Sequence, residues 1–374
     1  MNNKTKNIVV TSVFVVFVAF FVVMCAFSYF NPTEKSEAER RPLAQFPTEI
    51  TWESIINTKD EHKSTIKQFE KYSVDQFPFR EFFRSLKAHF QLDVLGLNEN
   101  NGMASVDGYI AKIEPDFTPG LVDYSTGRLQ FIYNKYLQNH NGNVYVSLIP
   151  DKNYYLGRDY GYPSPDYEWL AGVLKEKLPE AEYIDLFGSL ELSDFYRTDT
   201  HWSQDKLDRV LATLGEKMGF ADRLSGKYTE NKLEGFEGVY YAQSALYPKP
   251  DTLTYLTNDI INGCTVYDYE TKKTYSVYNL DEFYGDDGYS FFLSGTRALL
   301  RIDNPNATTD KELVIFRDSF GSSLAPLMAE GYSSIYVVDI RYVMPEFLGT
   351  LIDLEGKDVL FIYSSLVLNA KAFR

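Results

Sequence analysis

From Ile8 to Phe30 the chain runs for about 23 residues without a charge, enough to cross the roughly 30 Å hydrocarbon core of a bilayer as one helix. Lys4 and Lys6 precede this run, and Asn31-Pro32 followed by Glu34, Glu37 and Glu39 comes after it. Cations on the amino-terminal side predict a cytoplasmic tip and an extracellular remainder. The run is long for a signal peptide and a small-x-small cleavage site is poor, so residues 1–30 are expected to form an uncleaved single-pass anchor. Cys25 follows Met24, the wrong small-residue context for a lipid-modified cysteine.

That address limits the chemistry. Only two cysteines exist. With Cys25 inside the span, Cys264 has no disulfide partner and no cysteine cluster is available for a metal. No metal or cofactor is expected, and an exported chain without disulfides suits a Gram-positive surface. The formal charge of -15 excludes nucleic acid as a partner, because phosphate binding needs a basic surface. A neutral glycan remains compatible. Aromatic residues make up 16% of the chain, either to stack on sugar rings or to fill the core.

The 374 residues suffice for one large or two modest domains. Residues 31–58 read as an extracellular, proline-punctuated linker, and 59–374 as the catalytic domain. From Lys59 to Leu95 the apolar positions Ile66, Phe69, Tyr72, Phe82, Phe83, Leu86 and Phe90 recur at helical spacing, with a break at Asp75-Gln76-Phe77-Pro78-Phe79-Arg80. A turn at 106–110 joins two short strands, and a helix over 125–138 leads to the apolar run Val144–Ile149. Such a run suits a strand buried on both faces of a parallel sheet.

A helix over 167–178 and a strand over 183–187 should follow. Ser203 is a plausible cap for a helix whose apolar stripe is Leu207, Val210, Leu211, Leu214 and Met218. Between about 227 and 301 the helical period gives way to short alternating pieces, a β-rich insertion. Strands at 313–316, 335–340 and 359–363, with a helix at 346–354, restore the earlier rhythm. The expected fold class is α/β with a parallel sheet.

Candidate chemistry sits in two places. Asp199 and His201 lie two positions apart in Thr198-Asp199-Thr200-His201-Trp202, in a chain with four histidines. In an extended segment such residues face one side, so the acid can fix the imidazole's tautomer and stabilise its charged form. The other reading is a hydrogen-bonded pair that caps a helix. Far downstream, Leu313–Phe316 is followed by Arg317-Asp318-Ser319-Phe320-Gly321 and an apolar stretch. This reads as strand, tight turn and helix, with Ser319 presented at the carboxyl end of a strand. Lys152, at the end of the 144–149 strand, either steadies a substrate or lies at the surface. Trp202 either lines a sugar subsite or caps the core. Arg341, beside Tyr342, either holds a substrate group or oxyanion or pairs with Asp339.

Together these stretches resemble the AlgX/AlgJ-like alginate O-acetyltransferase group and the DHHW proteins, a branch of the SGNH hydrolase-like superfamily. The matching positions are Glu39-Arg40-Arg41-Pro42-Leu43, Asp75–Arg80, Pro150-Asp151-Lys152, Thr198–Trp202, Asp318-Ser319-Phe320-Gly321 and Asp339-Ile340-Arg341-Tyr342. The nucleophile block begins with Arg317 where the superfamily usually has glycine, and its separate glycine and asparagine oxyanion blocks have no assigned counterpart. The resemblance implies an SGNH hydrolase-like three-layer α/β/α sandwich with Ser319 as nucleophile, His201 as general base and Asp199 as its orienter. It places Arg341 in the site and implies O-acetyl transfer to an extracellular polysaccharide. The acetyl group would come from a membrane-bound O-acyltransferase.

Backbone N–H groups at Ser319 and Phe320 are the expected oxyanion donors, and Arg341, Tyr342, Lys152 and Trp202 the candidate substrate-binding residues. The alternatives are a carbohydrate acetylesterase with the same residues and water as acceptor, or a catalytically silent scaffold of a polysaccharide export complex.

Overall fold

The computed structural model describes residues 3–36, 39–56 and 64–374. They form two compact units, Met1–Leu97 with Ala242–Tyr247, and Asn98–Tyr241 with Pro248–Arg374.

In the first unit, helix α1 (Asn3–Phe30) is long and apolar enough to be a membrane anchor or a signal sequence. Helices α2 (Thr65–Asp75) and α3 (Arg80–His89) follow, separated at the expected break. Pro78 cannot continue a helix, and Phe79 turns the chain with a left-handed φ of 57°. Lys59, where the helical pattern begins in sequence, lies outside the described residues.

The segment expected as a linker is bound rather than free. Lys35–Ser36 pairs with Arg41–Pro42, and the Arg41 guanidinium grips the Asp75 carboxylate at 2.9 and 2.6 Å. The Ala44 N–H donates to the same carboxylate at 2.9 Å. Gln76 accepts from the Thr33 N–H at 3.0 Å and donates to its carbonyl at 2.8 Å. Helices expected in the catalytic domain thus pack with the supposed linker, and the units part at Leu97.

The second unit is built on an eight-stranded sheet. Its principal elements in chain order begin with α4 (Pro119–Ile132), β1 (Val144–Ile149), α5 (Lys152–Tyr160), α6 (Tyr167–Lys177), β2 (Glu182–Tyr183) and α7 (Asp208–Met218). Then come β3 (Thr229–Phe236), β4 (Asp251–Thr257), β5 (Thr265–Asp268), β6 (Thr274–Tyr275) and β7 (Leu299–Asp303). The last are β8 (Glu312–Arg317), α8 (Gly321–Met328), β9 (Ser334–Val338) and β10 (Asp358–Ser364). The sheet order is β6-β5-β7-β9-β8-β10-β1-β2, parallel from β9 to β2 and antiparallel from β6 through β7 to β9.

Alternate residues of the parallel strands feed opposite faces, as a pleat requires. Leu313 and Ile315 join a core with α5, α7 and α8, while Val314 and Phe316 join one with α4 and α6. Helices therefore cover both faces, which explains the unbroken apolar strands.

Three expectations need correction. The β-rich stretch is not a separate insertion throughout. Only β3 and β4 form a hairpin apart, whereas β5, β6 and β7 extend the central sheet. The strand at 183–187 ends at Tyr183, because the Asp185 side chain accepts the Phe187 N–H at 2.9 Å and starts a turn. Ser203 does not cap the following helix; its hydroxyl bonds Asp205, and α7 begins at Asp208.

Phe316, fully buried, stacks on Phe361 with centroids 4.7 Å apart. Phe316→Ala should lower unfolding stability by about 3–5 kcal/mol, read from the urea midpoint at unchanged slope. A loss well under 1 kcal/mol would contradict this view of the core.

Candidate active site

The strand that carries Ser319 ends in a tight turn. β8 stops at Arg317, and the Gly321 and Ser322 N–H groups bond back to the Asp318 and Ser319 carbonyls at 3.1 Å before α8 begins. Asp318 clamps the turn from within. Its Oδ1 accepts the Phe320 N–H at 3.0 Å, and its Oδ2 accepts the Ser364 N–H from the end of β10 at 2.7 Å. Every residue from Leu313 to Asp318 is buried, whereas Ser319 is half-buried. The turn therefore lifts one hydroxyl out of the core at the carboxyl edge of the sheet.

Gly321 is needed here for space. A Cβ on it would lie 2.6 Å from the Arg317 Cβ, so the glycine makes room for a fully buried arginine. The Arg317 Nη1 sits 3.4 Å from both the Asp318 carbonyl and the Asp339 carboxylate. Its Nε and Nη2 have no hydrogen-bond partner among the described residues.

His201 reaches Ser319 from the loop between the 3₁₀ turn at 192–194 and α7. Its Nε2 lies 2.7 Å from the Ser319 Oγ, and its Nδ1 lies 2.5 Å from the Asp199 Oδ1. Asp199 is fully buried, and its Oδ1 also accepts the His201 backbone N–H at 2.9 Å. Its Oδ2 accepts the Val239 N–H at 2.8 Å. Burial alone would raise this carboxyl, but the imidazole and the backbone donors outweigh it and hold its pKa at about 2. The carboxylate stays ionised and fixes the Nδ1 proton, which leaves Nε2 to accept from the serine.

Distant segments hold this loop in place. Asp251, at the start of β4, accepts from the Arg197 N–H and from the Thr198 N–H and hydroxyl at 2.6–3.1 Å. A Cβ on Gly238 would lie 2.3 Å from the Asp199 Cβ, so only glycine permits this approach. The Tyr289 ring lies flat on the imidazole, centroids 3.8 Å apart and 5° from parallel, with Phe320 on the ring at 4.8 Å. The Tyr289 hydroxyl is 2.8 Å from the Ser323 Oγ. Tyr289 was not singled out from the sequence; it lies 88 positions beyond His201 in an irregular stretch.

The remaining sequence candidates divide. Trp202 is fully buried, and its indole N–H donates to the Phe320 carbonyl and the Ser323 hydroxyl at 3.1 and 2.9 Å. It belongs to the core and lines no sugar subsite. Lys152 is not at the surface either. Its buried ammonium donates to the Tyr196 and Arg197 carbonyls at 3.0 and 3.3 Å, so it supports the histidine loop rather than a substrate. The Phe320 N–H, expected as an oxyanion donor, is occupied by Asp318, while the Ser319 N–H has no acceptor among the described residues.

Arg341 does pair with Asp339, at 2.9 and 2.6 Å through Nε and Nη2, and its Nη1 has no partner among the described residues. Tyr342 beside it is exposed. No group of three or more metal-ligating side chains exists among the described residues.

Burial lowers the Lys152 pKa to about 7, against the pull of Asp199, Asp251 and Asp151. An unfolded lysine titrates near 10.4. Between these values the unfolded chain binds the extra proton, so this residue makes stability rise with pH. The stability of wild type relative to Lys152→Met should therefore climb from pH 7 to pH 10 in urea titrations. A difference independent of pH would show that the amine is not desolvated as described.

No curated protein matches the chain in sequence. Residues 187–338 match the model of the DHHW protein family. Among solved structures, a DHHW family protein from Eubacterium siraeum is similar at 24% identity and a TM-score of 0.59, over 73% of this chain and 94% of that one. PatB1 of Bacillus cereus is similar at 20% identity and a TM-score of 0.53, over 74% and 99%. A second PatB1 structure, carrying a sulfonyl adduct, gives 20% and 0.52 over 73% and 99%. The O-acetyltransferase domain of Pseudomonas putida AlgJ is matched at 15% identity and a TM-score of 0.44, over 72% and 93%. The chain thus resembles the DHHW proteins in both respects: the segment with the histidine loop, Tyr289 and Ser319 matches their family model, and its fold is shared with one of them.

Proposed function

We propose that this chain is a membrane-anchored, extracytoplasmic O-acetyltransferase with an SGNH hydrolase-like α/β/α catalytic unit. It moves acetyl groups onto hydroxyls of an exopolysaccharide or cell-wall glycan. The observation that carries the reading is the run of hydrogen bonds from Asp199 through His201 to Ser319, 2.5 and 2.7 Å long. These three residues meet across 120 positions of sequence at a half-buried residue that follows an otherwise buried strand end.

In the proposed reaction His201 takes the Ser319 proton, and the Ser319 Oγ attacks the acetyl carbonyl of a donor ester or thioester. The donor's leaving group departs with that proton, leaving an acetyl ester on Ser319. A sugar hydroxyl then loses its proton to His201 and attacks the ester; the Ser319 Oγ leaves, takes that proton back from His201, and the O-acetyl glycan is formed with Ser319 free. Asp199 orients the ring and offsets its charge throughout. The Ser319 N–H is the backbone donor left for the oxyanion, and Arg341, through its free Nη1, is the cation nearest in role to a second one.

The sequence resemblance supplies the acetyl group, the glycan acceptor and the membrane-bound acyltransferase partner. The sulfonyl adduct of PatB1 fits the same chemistry, since sulfonyl reagents trap activated hydroxyls. The apolar α1 and the cation placement before it support an anchor with the catalytic unit outside.

Release of nitrophenol from 4-nitrophenyl acetate tests the reading. Ser319→Ala and His201→Ala should each lower kcat by at least about 10²-fold with the fold intact by circular dichroism. Wild type should also form acetylated product when glycan oligomers are added. Nitrophenol release without glycan product would identify an esterase, and undiminished release from Ser319→Ala would refute the nucleophile.

A further inference from the structure

The first unit carries an apolar face that its own fold covers only in part. Along α3 and the turn before it, Phe79, Phe82, Phe83, Leu86 and Phe90 recur at helical spacing and are all exposed, Phe82 by 62%. The opposite side of the helix is held by ion pairs and hydrogen bonds. Arg80 and Arg84 pair with Glu39 at 2.6 and 3.0 Å. Arg84 also donates to the Ala242 and Gln243 carbonyls at 3.2 and 3.1 Å, and the Tyr247 hydroxyl bonds Glu81 at 2.6 Å. One side of the helix is thus polar and tied to its own unit, and the other is apolar and exposed apart from the α1 rings that meet Phe79 and Phe83.

What covers the exposed side follows from its neighbour, and the inference rests on reading α1 as a membrane anchor. Phe20 of α1 stacks on Phe79, and Phe21 meets Phe77 and Phe83, with centroids 5.8–6.3 Å apart. A hydrocarbon core of roughly 30 Å takes about 20 helical residues. Counted from Ile8, the first residue of the uncharged run, it ends near Phe27. Phe21 then lies six residues, or about 9 Å, beneath the outer boundary. Side chains that stack on it must sit at a similar depth. That is the depth, about 5–10 Å, to which an interfacial amphipathic helix buries its apolar face. An open groove of about 620 Å³ runs from Met24, Phe27, Phe77 and Phe82 to the charged side chains of Lys35, Asp75 and Arg80, as a groove between acyl chains and headgroups would.

We propose that α3, with the Phe77-Pro78-Phe79 turn, is an in-plane helix that lies in the outer leaflet against the transmembrane helix. Its occupant is lipid. The polar side, with Arg80, Glu81 and Arg84, remains at the headgroup level.

The test uses the full chain in vesicles of neutral phosphatidylcholine, labelled with an environment-sensitive fluorophore at single cysteines. Cys25→Ser removes the reactive native thiol, since Cys264 is buried. Labels at Phe82→Cys and Phe90→Cys should show blue-shifted emission, quenched by spin labels on the lipid chains and not by aqueous iodide. A label at Val18→Cys in α1 is the control. If Val18 reports lipid while Phe82 and Phe90 report water, the anchor stands and this inference fails. If Val18 reports water, the anchor reading itself fails. Labels shielded from iodide yet untouched by lipid quenchers would point to a second copy of the chain on this face and overturn the lipid assignment.

Discussion

Everything at the candidate site depends on a single buried carboxylate remaining charged. Asp199 has no exposed surface, and burying an unsatisfied charge would cost several kcal/mol. Three donors remove that cost: the His201 imidazole, its backbone N–H and the Val239 N–H. Because two of them come from His201 itself, the stabilisation of the carboxylate and the aim of the imidazole are one arrangement. The third comes from beyond β3, which gives that hairpin a reason to be there.

The serine is held by a comparable device on the opposite side. Asp318 spends both its oxygens on backbone N–H groups, one from its own turn and one from β10. Ser319 is thus fixed to the strand pair at the middle of the sheet rather than to a loop. The positive charge of the two arginines nearby is balanced largely by one acid, Asp339, which faces both Arg317 and Arg341. Arg317 is buried directly before the Ser319 turn. The chain accommodates it by having glycine at 321, where the arginine stem would otherwise collide.

Much of this was legible in the sequence because it is local. An acid two positions from a histidine, and a serine after an apolar strand, need only short-range geometry. The strands read at 144–149, 313–316 and 359–363 were legible because burial on both faces leaves no alternation to confuse them. What was missed is non-local. Tyr289 sits in an irregular stretch, and only the folded sheet brings its ring onto His201. The roles of Trp202 and Lys152 turned on burial, which a Trp or Lys in a loop does not announce. The Phe320 amide was lost to Asp318 through a side chain-to-backbone bond that competes with ligand binding. The supposed linker misled because its prolines and charges look like solvated chain, yet Arg41 and Glu39 find their partners on α2 and α3.

The central claim is that Ser319 carries the acetyl group between donor and acceptor. The most direct measurement is peptide mass spectrometry on wild-type protein, acid-quenched within the first turnover after mixing with an acetyl donor and no acceptor. The account predicts one acetyl group on the peptide containing Ser319, absent from His201→Ala and lost when glycan oligomers are added before the quench. Acetylated glycan formed with Ser319 unmodified throughout would contradict it.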